Sequence, residues 1–560
     1  MKPLDWVVMF CWLVSIVVYG LWRGRRSGTV KEYLLAGRSM PWYAMGLSIM
    51  ATQASAITFI STTGQAYVDG MRFVQFYLGL PIAMVILSAT AVKIFHRANV
   101  YTAYEYLEKR FDTKTRTLVS MVFLIQRGLG AGIALYAPAV VLSVILGWSD
   151  QWTAVLMGTL VVLYTTTGGI KAVTWADVYQ MMVITGALFF ALLVAISLFP
   201  NHVSFVDGIH LAGAFGRANA ITWNFDWNDR YNVWSGLIGG SFLFLAYFGC
   251  DQSQVQRYLT GKSIAESRIS LLFNAVAKIP MQFFILFIGA MVFVLFIFER
   301  PPIIFHPIEA KRVVDDPKFS TVRQQYDRAF EARRATAESV LQQMHRGEQV
   351  DLAKVREAQR QFDNARKAGA ALVEERNGTK GFNDTNYIFL NFVTSYLPTG
   401  VVGLVIAVIF SAAMSAASGE INSLATVSMV DVYRRHFVRE ASDRHYLWAS
   451  RIATAFWGCF AIVFSGLGRN LGALIEAVNL IGSLFYGGLL GVFVLAFFFR
   501  NVGANGAFFG VIAGEIAIFS AFRFTSISFL WYNVIGCVVV IATGLVVSVF
   551  ERRRSLVAQT

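Results

Sequence analysis

Apolar runs long enough to cross a bilayer recur along nearly the whole chain, separated by short polar loops. Thirteen are legible, at 5–22, 40–64, 72–95, 117–146, 152–170, 175–199, 232–258, 268–299, 386–432, 447–467, 471–500, 504–523 and 527–550. A helix rises 1.5 Å per residue, so runs of this length match a hydrocarbon core of about 30 Å. Backbone in hydrocarbon must satisfy its own hydrogen bonds. The pattern therefore predicts an all-α polytopic membrane protein with about 13 transmembrane helices.

Two runs carry interruptions. The second holds Thr52, Gln53, Ser55 and Thr58 in place of continuous apolar residues. The seventh opens with Gly236, Gly239 and Gly240 and reaches Gly249, Cys250, Asp251 and Gln252 before Arg257. Broken helices free backbone carbonyls and helix ends that can hold ions and solute near mid-membrane. The two lie five runs apart. A five-helix unit opening on each would make an inverted-repeat secondary transporter.

The ninth run contains a polar stripe. Ser411, Ser415, Ser418, Asn422 and Thr426 recur at steps of three and four, which places five side-chain oxygens on one helical face. Such oxygens suit a small hard cation such as Na⁺, or a polar solute. They equally suit close helix packing, and the spacing alone leaves both readings open. Glu420 falls away from the stripe and is left out of the cation site.

One segment breaks the apolar rhythm. Residues 305–384 are rich in charge of both signs, and 319–375 reads as a helical hairpin turning at Arg346-Gly347-Glu348. It reads as a solvated insertion, with a lid or docking arm as the alternative. The chain thus divides into a leading helix and loop (1–39), a transport core (40–500) that includes the insertion at 301–385, and two trailing helices with a short tail (501–560).

Composition agrees. The 560 residues are 56% hydrophobic and 15% charged, with a mean hydropathy of +0.55. That excludes an ordinary soluble enzyme. The formal net charge of +14 raises nucleic acid as a partner, but its placement argues for topology instead. Arg23, Arg25, Arg26, Lys31 and Arg38 share a side with Lys93, Arg97, Lys109, Arg110, Lys114 and Arg116, with Arg434, Arg435, Arg439 and Arg444, and with Arg552, Arg553 and Arg554. The positive-inside rule then puts the N-terminus outside and the C-terminus in the cytoplasm of a plasma (inner) membrane. The hairpin falls outside. Cys11, Cys250, Cys459 and Cys537 all sit in apolar runs and read as packing residues. No phosphate-binding loop, HExxH motif or Cys/His metal cluster is present, so neither an ATP-driven pump nor an enzyme is expected.

Ionisable residues inside spans usually line a path or pair with each other. Arg127, Asp177, Asp251, Lys278, Glu420, Glu476 and Glu515 are the candidates. For Asp177, a helix-end cap is the alternative.

Four blocks carry a resemblance: YTAYEYLEKRF (101–111), YTTTGGIKAVTWADVYQ (164–180), DQSQVQRYLTGKS (251–263) and INSLATVSMVDVY (421–433). In this order they resemble the sodium/solute symporter family across nearly the whole chain. The resemblance implies the leucine-transporter-like inverted-repeat fold, with ten core helices plus flanking spans, and uptake driven by Na⁺ through alternating access. It implies a Na⁺ site at the backbone of Ala51 and Ala54 and at Ala412, Ser415 and Ala416. Ala416 departs from the family, where Ser or Thr is common. A further Na⁺ site is implied at Asp177, Ser415 and Ser418. The implied solute pocket comprises Gln53, Thr58, Tyr77, Asp251, Lys278 and Asn479.

The resemblance matches Ile57, Thr58 and Tyr77 to positions where sugar-transporting members carry acidic and amide side chains, so much of a sugar's hydrogen-bond set is absent. Buried Arg127 and Lys278 suit a carboxylate, so the expected solute is a small organic anion such as a monocarboxylate. A sugar or other metabolite is the alternative, as is proton coupling through Asp177 or Glu476. A membrane sensor is a rival class, but it would need a signalling domain, and only ten residues follow Phe550. The expected partners are solute, Na⁺ and lipid, with no nucleic acid and no obligate protein partner.

Overall fold

The computed structural model describes residues 1–24, 30–466 and 474–557. Arg25 and Arg26 of the topology signal, and the first three residues of the expected run 471–500, lie outside these. The described residues are almost entirely helical.

The helices that matter here are α1 (Pro3–Gly24), α2 (Trp42–Gln53), α3 (Ala56–Asp69), α4 (Thr113–Leu146), α5 (Asp150–Ser197), α6 (Gly240–Gly249), α7 (Gln252–Tyr258) and α8 (Ile264–Phe298). They continue as α9 (Pro317–His345), α10 (Leu352–Asn377), α11 (Ile388–Tyr396), α12 (Val401–Val427), α13 (Asp443–Ser465), α14 (Leu474–Phe498), α15 (Ala504–Phe524) and α16 (Leu530–Val557). Helix α12 packs against α4, α5 and α1, and it touches both α2 and α3.

The expected count of thirteen is not reproduced. Nine helices among the described residues are long and apolar enough to cross a membrane, and Pro3–Ile16 and Ser235–Gly249 are shorter apolar helices. Breaks account for part of the difference, because α2 and the segment from Ser235 to Tyr258 are cut into pieces too short to span alone. The run expected at 386–432 is also two helices. Pro398 lacks an amide hydrogen, and Gly400 adopts φ 90°, so α11 ends and α12 begins anew.

Helix α5 is the converse case. Straight, its 48 residues would reach about 72 Å. Asp150 at its start lies 3.7 Å from His306. Just past its end, the His202 ring is 6.4 Å from that of Phe298. Phe298 ends α8 and His306 follows it by eight residues, so both ends of α5 lie near the C-terminal end of α8. The expected runs 152–170 and 175–199 both fall within it.

Both expected interruptions are present. Between α2 and α3 the chain leaves helical geometry at Ala54 (φ −92°, ψ 54°) and Ser55 (φ −70°, ψ 173°). The other broken segment starts as a π-helical stretch, Ser235–Gly239, and parts again at Cys250 and Asp251 before α7.

The insertion forms the expected hairpin, with Gly347 at φ 68° in the turn. It is docked on the body. Arg333 of α9 is fully buried, lies 3.5 Å over the Phe362 ring of α10 and donates to the Phe296 carbonyl of α8. Tyr326 donates to the Pro301 carbonyl at 2.7 Å, and Arg366 pairs with Asp384 at 2.6 Å.

Candidate functional site

The four sequence blocks converge. Asp431, just past α12, accepts from Thr102 at 2.9 Å and from Arg116 Nε at 2.7 Å. Arg116 also reaches Glu108, which pairs with Arg435. Gln252 at the start of α7 accepts from the Ala103 amide and donates to the Tyr101 carbonyl, both at 3.0 Å. Tyr104 donates to the Cys250 carbonyl at 3.0 Å. The blocks are therefore contact surfaces that lock the second broken helix, α4 and the serine helix together.

The block at 164–180 contributes Asp177, which is fully buried. Its Oδ2 accepts from Ser48 of α2 at 2.6 Å and from Arg257 of α7 at 2.8 Å, and its Oδ1 accepts from Ser415 of α12. Asp177 joins three helices through side chains and caps no helix end. Arg257 balances its charge, so the implied further Na⁺ site at Asp177, Ser415 and Ser418 adjoins a guanidinium. Sequence reasoning missed both Ser48 and Arg257. A buried carboxylate needs a partner, and the arginine in QVQRY was the available signal.

At the first break, helix termination leaves last-turn carbonyls of α2 without an i+4 amide. The Met50 carbonyl accepts from the Ala54 amide, and the Gln53 carbonyl accepts from Thr58 Oγ1 at 2.7 Å. The Ala51 and Ala54 carbonyls belong to this same turn, and α12 packs against it. Ser415 and Ser418 are buried, and Ser418 donates to the Ser415 carbonyl at 3.2 Å. A hydroxyl that donates its hydrogen keeps lone pairs for a cation. Carbonyls and hydroxyls are the hard oxygen donors that alkali cations take. Ala412 is buried on the same helix, and Ala416 lines the neighbouring cavity.

That cavity holds about 90 Å³. Gln53 and Thr58 line it from the break, Tyr77 from the stretch after α3, Arg127 from α4, Tyr247 from α6 and Asn479 from α14. Of the six expected pocket residues, Gln53, Thr58, Tyr77 and Asn479 meet here. Asp251 and Lys278 do not line it. Asp251 lies behind Arg127, pairing with it and capping α7 through the Ser253 amide at 2.9 Å. Lys278 is fully buried on α8, with Nζ 5.8 Å from the Tyr77 ring centroid.

Arg127 is not a free anion receptor. It pairs with Asp251 and, at 3.0 Å, with Glu420, and it donates to Tyr486 at 3.0 Å. Glu420, set aside in sequence because it falls off the serine stripe, is in fact a cavity residue. The stripe's other face meets α4, which the pattern of α12 alone does not disclose.

Residues 33–316 and 368–514 match the model of the sodium:solute symporter family, leaving out most of the hairpin. Mouse sodium-coupled monocarboxylate transporter 1 is 27% identical over 503 residues, covering 89% of this chain and 69% of the relative. The sodium/sialic acid symporter of Aliivibrio fischeri is 26% identical over 549 residues, covering 97% and 92%. The sodium/glucose cotransporter of Vibrio parahaemolyticus is 26% identical, covering 96% and 89%. An outward-open, substrate-bound Na⁺-coupled sialic acid symporter shares the fold at TM-score 0.74 and 24% identity, covering 98% of both chains.

Proposed function

This chain belongs to the sodium:solute symporter family, and we propose that it imports a small organic solute carrying a carboxylate, of monocarboxylate size. It is a multi-pass membrane transporter, not an enzyme, and its coupling ion is Na⁺. The observation that carries the solute reading is the cavity between the broken helix and the serine helix, with Arg127 in its wall and Lys278 behind Tyr77. Arg127 already has carboxylate partners, but Lys278 Nζ has no hydrogen-bond partner among the described residues, and a cation this deep is costly unless it serves a path or a partner.

Na⁺ binds at the Ala51 and Ala54 carbonyls, with Ala412, Ser415 and Ala416 on the facing helix. Ser415 is the one side-chain hydroxyl in that set, because Ala416 offers none. Asp177 and Ser418 supply the neighbouring site. Cation binding there fixes the break, and the break carries Gln53 and Thr58 of the solute cavity. Ion and solute thus favour the same arrangement, and such differential affinity is what couples them.

The test is uptake by reconstituted protein across a panel of organic acids and sugars, with Na⁺ or choline outside. Uptake of a small organic acid that needs the Na⁺ gradient is the expected result. Accumulation driven by a pH gradient in Na⁺-free buffer would sink Na⁺ coupling, and uptake confined to sugars would sink the carboxylate reading.

A further inference from the structure

The walls of the solute cavity present unmet demands of both signs. On residues that line it, two buried donors have no hydrogen-bond partner among the described residues, Arg127 Nε and Asn479 Nδ2. Two buried acceptors are equally unmatched, Glu420 Oε2 and Gln126 Oε1. These atoms are themselves shielded, but their side chains line the cavity, so a solute there meets donors on Arg127 and Asn479 and acceptors on Glu420 and Gln126. A simple monocarboxylate offers only acceptors and leaves the second pair stranded.

Charge points the same way. Arg127 stands between two carboxylates, Asp251 and Glu420. That trio carries one formal negative charge, and counting Lys278, whose Nζ lies 5.8 Å from the Tyr77 ring centroid, as an ammonium brings the formal sum to zero. On that formal count a solute of zero net charge enters without unbalancing the site, whereas a lone anion does not. Glu420 is the residue that sets this condition. It is 9% exposed, with one oxygen on Arg127 and the other unpaired.

We propose that Glu420 is a solute-binding residue that selects a small zwitterion of the α-amino acid class. The solute's ammonium donates to the Glu420 carboxylate, and its carboxylate accepts from the donors on Arg127 and Asn479. This rests on the reading above that the solute carries a carboxylate, and it adds the requirement for a cationic donor beside that group. A cavity of about 90 Å³ takes a few waters' worth of solute, which favours the smallest amino acids over a hexose.

Thermal stability of the purified full-length protein in Na⁺ tests this with three probes: alanine, propionate and glucose. Alanine is expected to raise Tm in Na⁺ but not in choline, with propionate about 10- to 100-fold weaker, the loss for one charge-assisted hydrogen bond. Glu420→Gln should weaken alanine by a similar factor while keeping the stabilisation given by Na⁺ alone. Propionate within a few-fold of alanine would overturn the zwitterion assignment and leave the carboxylate reading standing. A response to glucose alone would overturn both. No response to alanine or to any other small α-amino acid overturns the proposal, as does an unchanged alanine affinity in Glu420→Gln.

Discussion

Arg127 is held by two carboxylates and a tyrosine in a site 3% exposed to solvent. Removing one partner of a buried ion network strands the others, at a cost of about 3–5 kcal/mol. Arg127→Met should therefore lower the unfolding temperature of the purified protein sharply, and a Tm equal to wild type would contradict the network. At this scale the sequence was partly legible. Spacing put Ser415 and Ser418 on one polar face, and family register marked Asp177, Gln53, Thr58, Tyr77 and Asn479. It did not reveal that Asp251 and Lys278 stand behind the cavity wall, or that Glu420 stands in it. Those assignments depend on which helix faces α12, and long-range packing of that kind leaves no periodic signal.

The broken helices were legible as elements, because polar residues and glycines interrupt otherwise apolar runs. Their mutual fit was not. A Cβ on Gly236 would sit 1.9 Å from the Gln75 carbonyl oxygen, and one on Gly79 would sit 2.1 Å from the Ser241 amide nitrogen. The π-helical start of the second broken segment thus lies backbone to backbone against the stretch that follows α3. Gly236→Ala should destabilise the protein by at least the ~1–3 kcal/mol of ordinary overpacking, because the obstacle is backbone. Gly186→Ala, where nothing lies within 4 Å of the added atom, serves as the control. Equal Tm values for the two variants would refute the close contact. The runs at 152–170 and 175–199 were read as separate, yet both fall within α5, which is helical throughout.

For the whole molecule, the all-helical polytopic membrane class was legible from hydropathy alone, and the family, with the inverted-repeat fold it implies, from four blocks whose residues interlock. The exact number of spans was not, since broken helices evade any criterion of length. Charge placement predicts that the α9–α10 hairpin is outside and the basic loop after α12 is cytoplasmic. Glu348 and Arg439 are both exposed. In a background with the four native cysteines replaced, Glu348→Cys in intact cells should react with a membrane-impermeant maleimide, and Arg439→Cys only after lysis. The reverse pattern would invert the topology. The central claim is that Na⁺ binds between the first broken helix and α12, with Ser415 as its side-chain ligand. The most direct measurement is the Na⁺ dependence of uptake by reconstituted wild type and Ser415→Ala. A rise of about tenfold or more in the Na⁺ concentration for half-maximal uptake is predicted, the loss of one hydroxyl ligand to a charged group. An unchanged Na⁺ dependence would contradict the site.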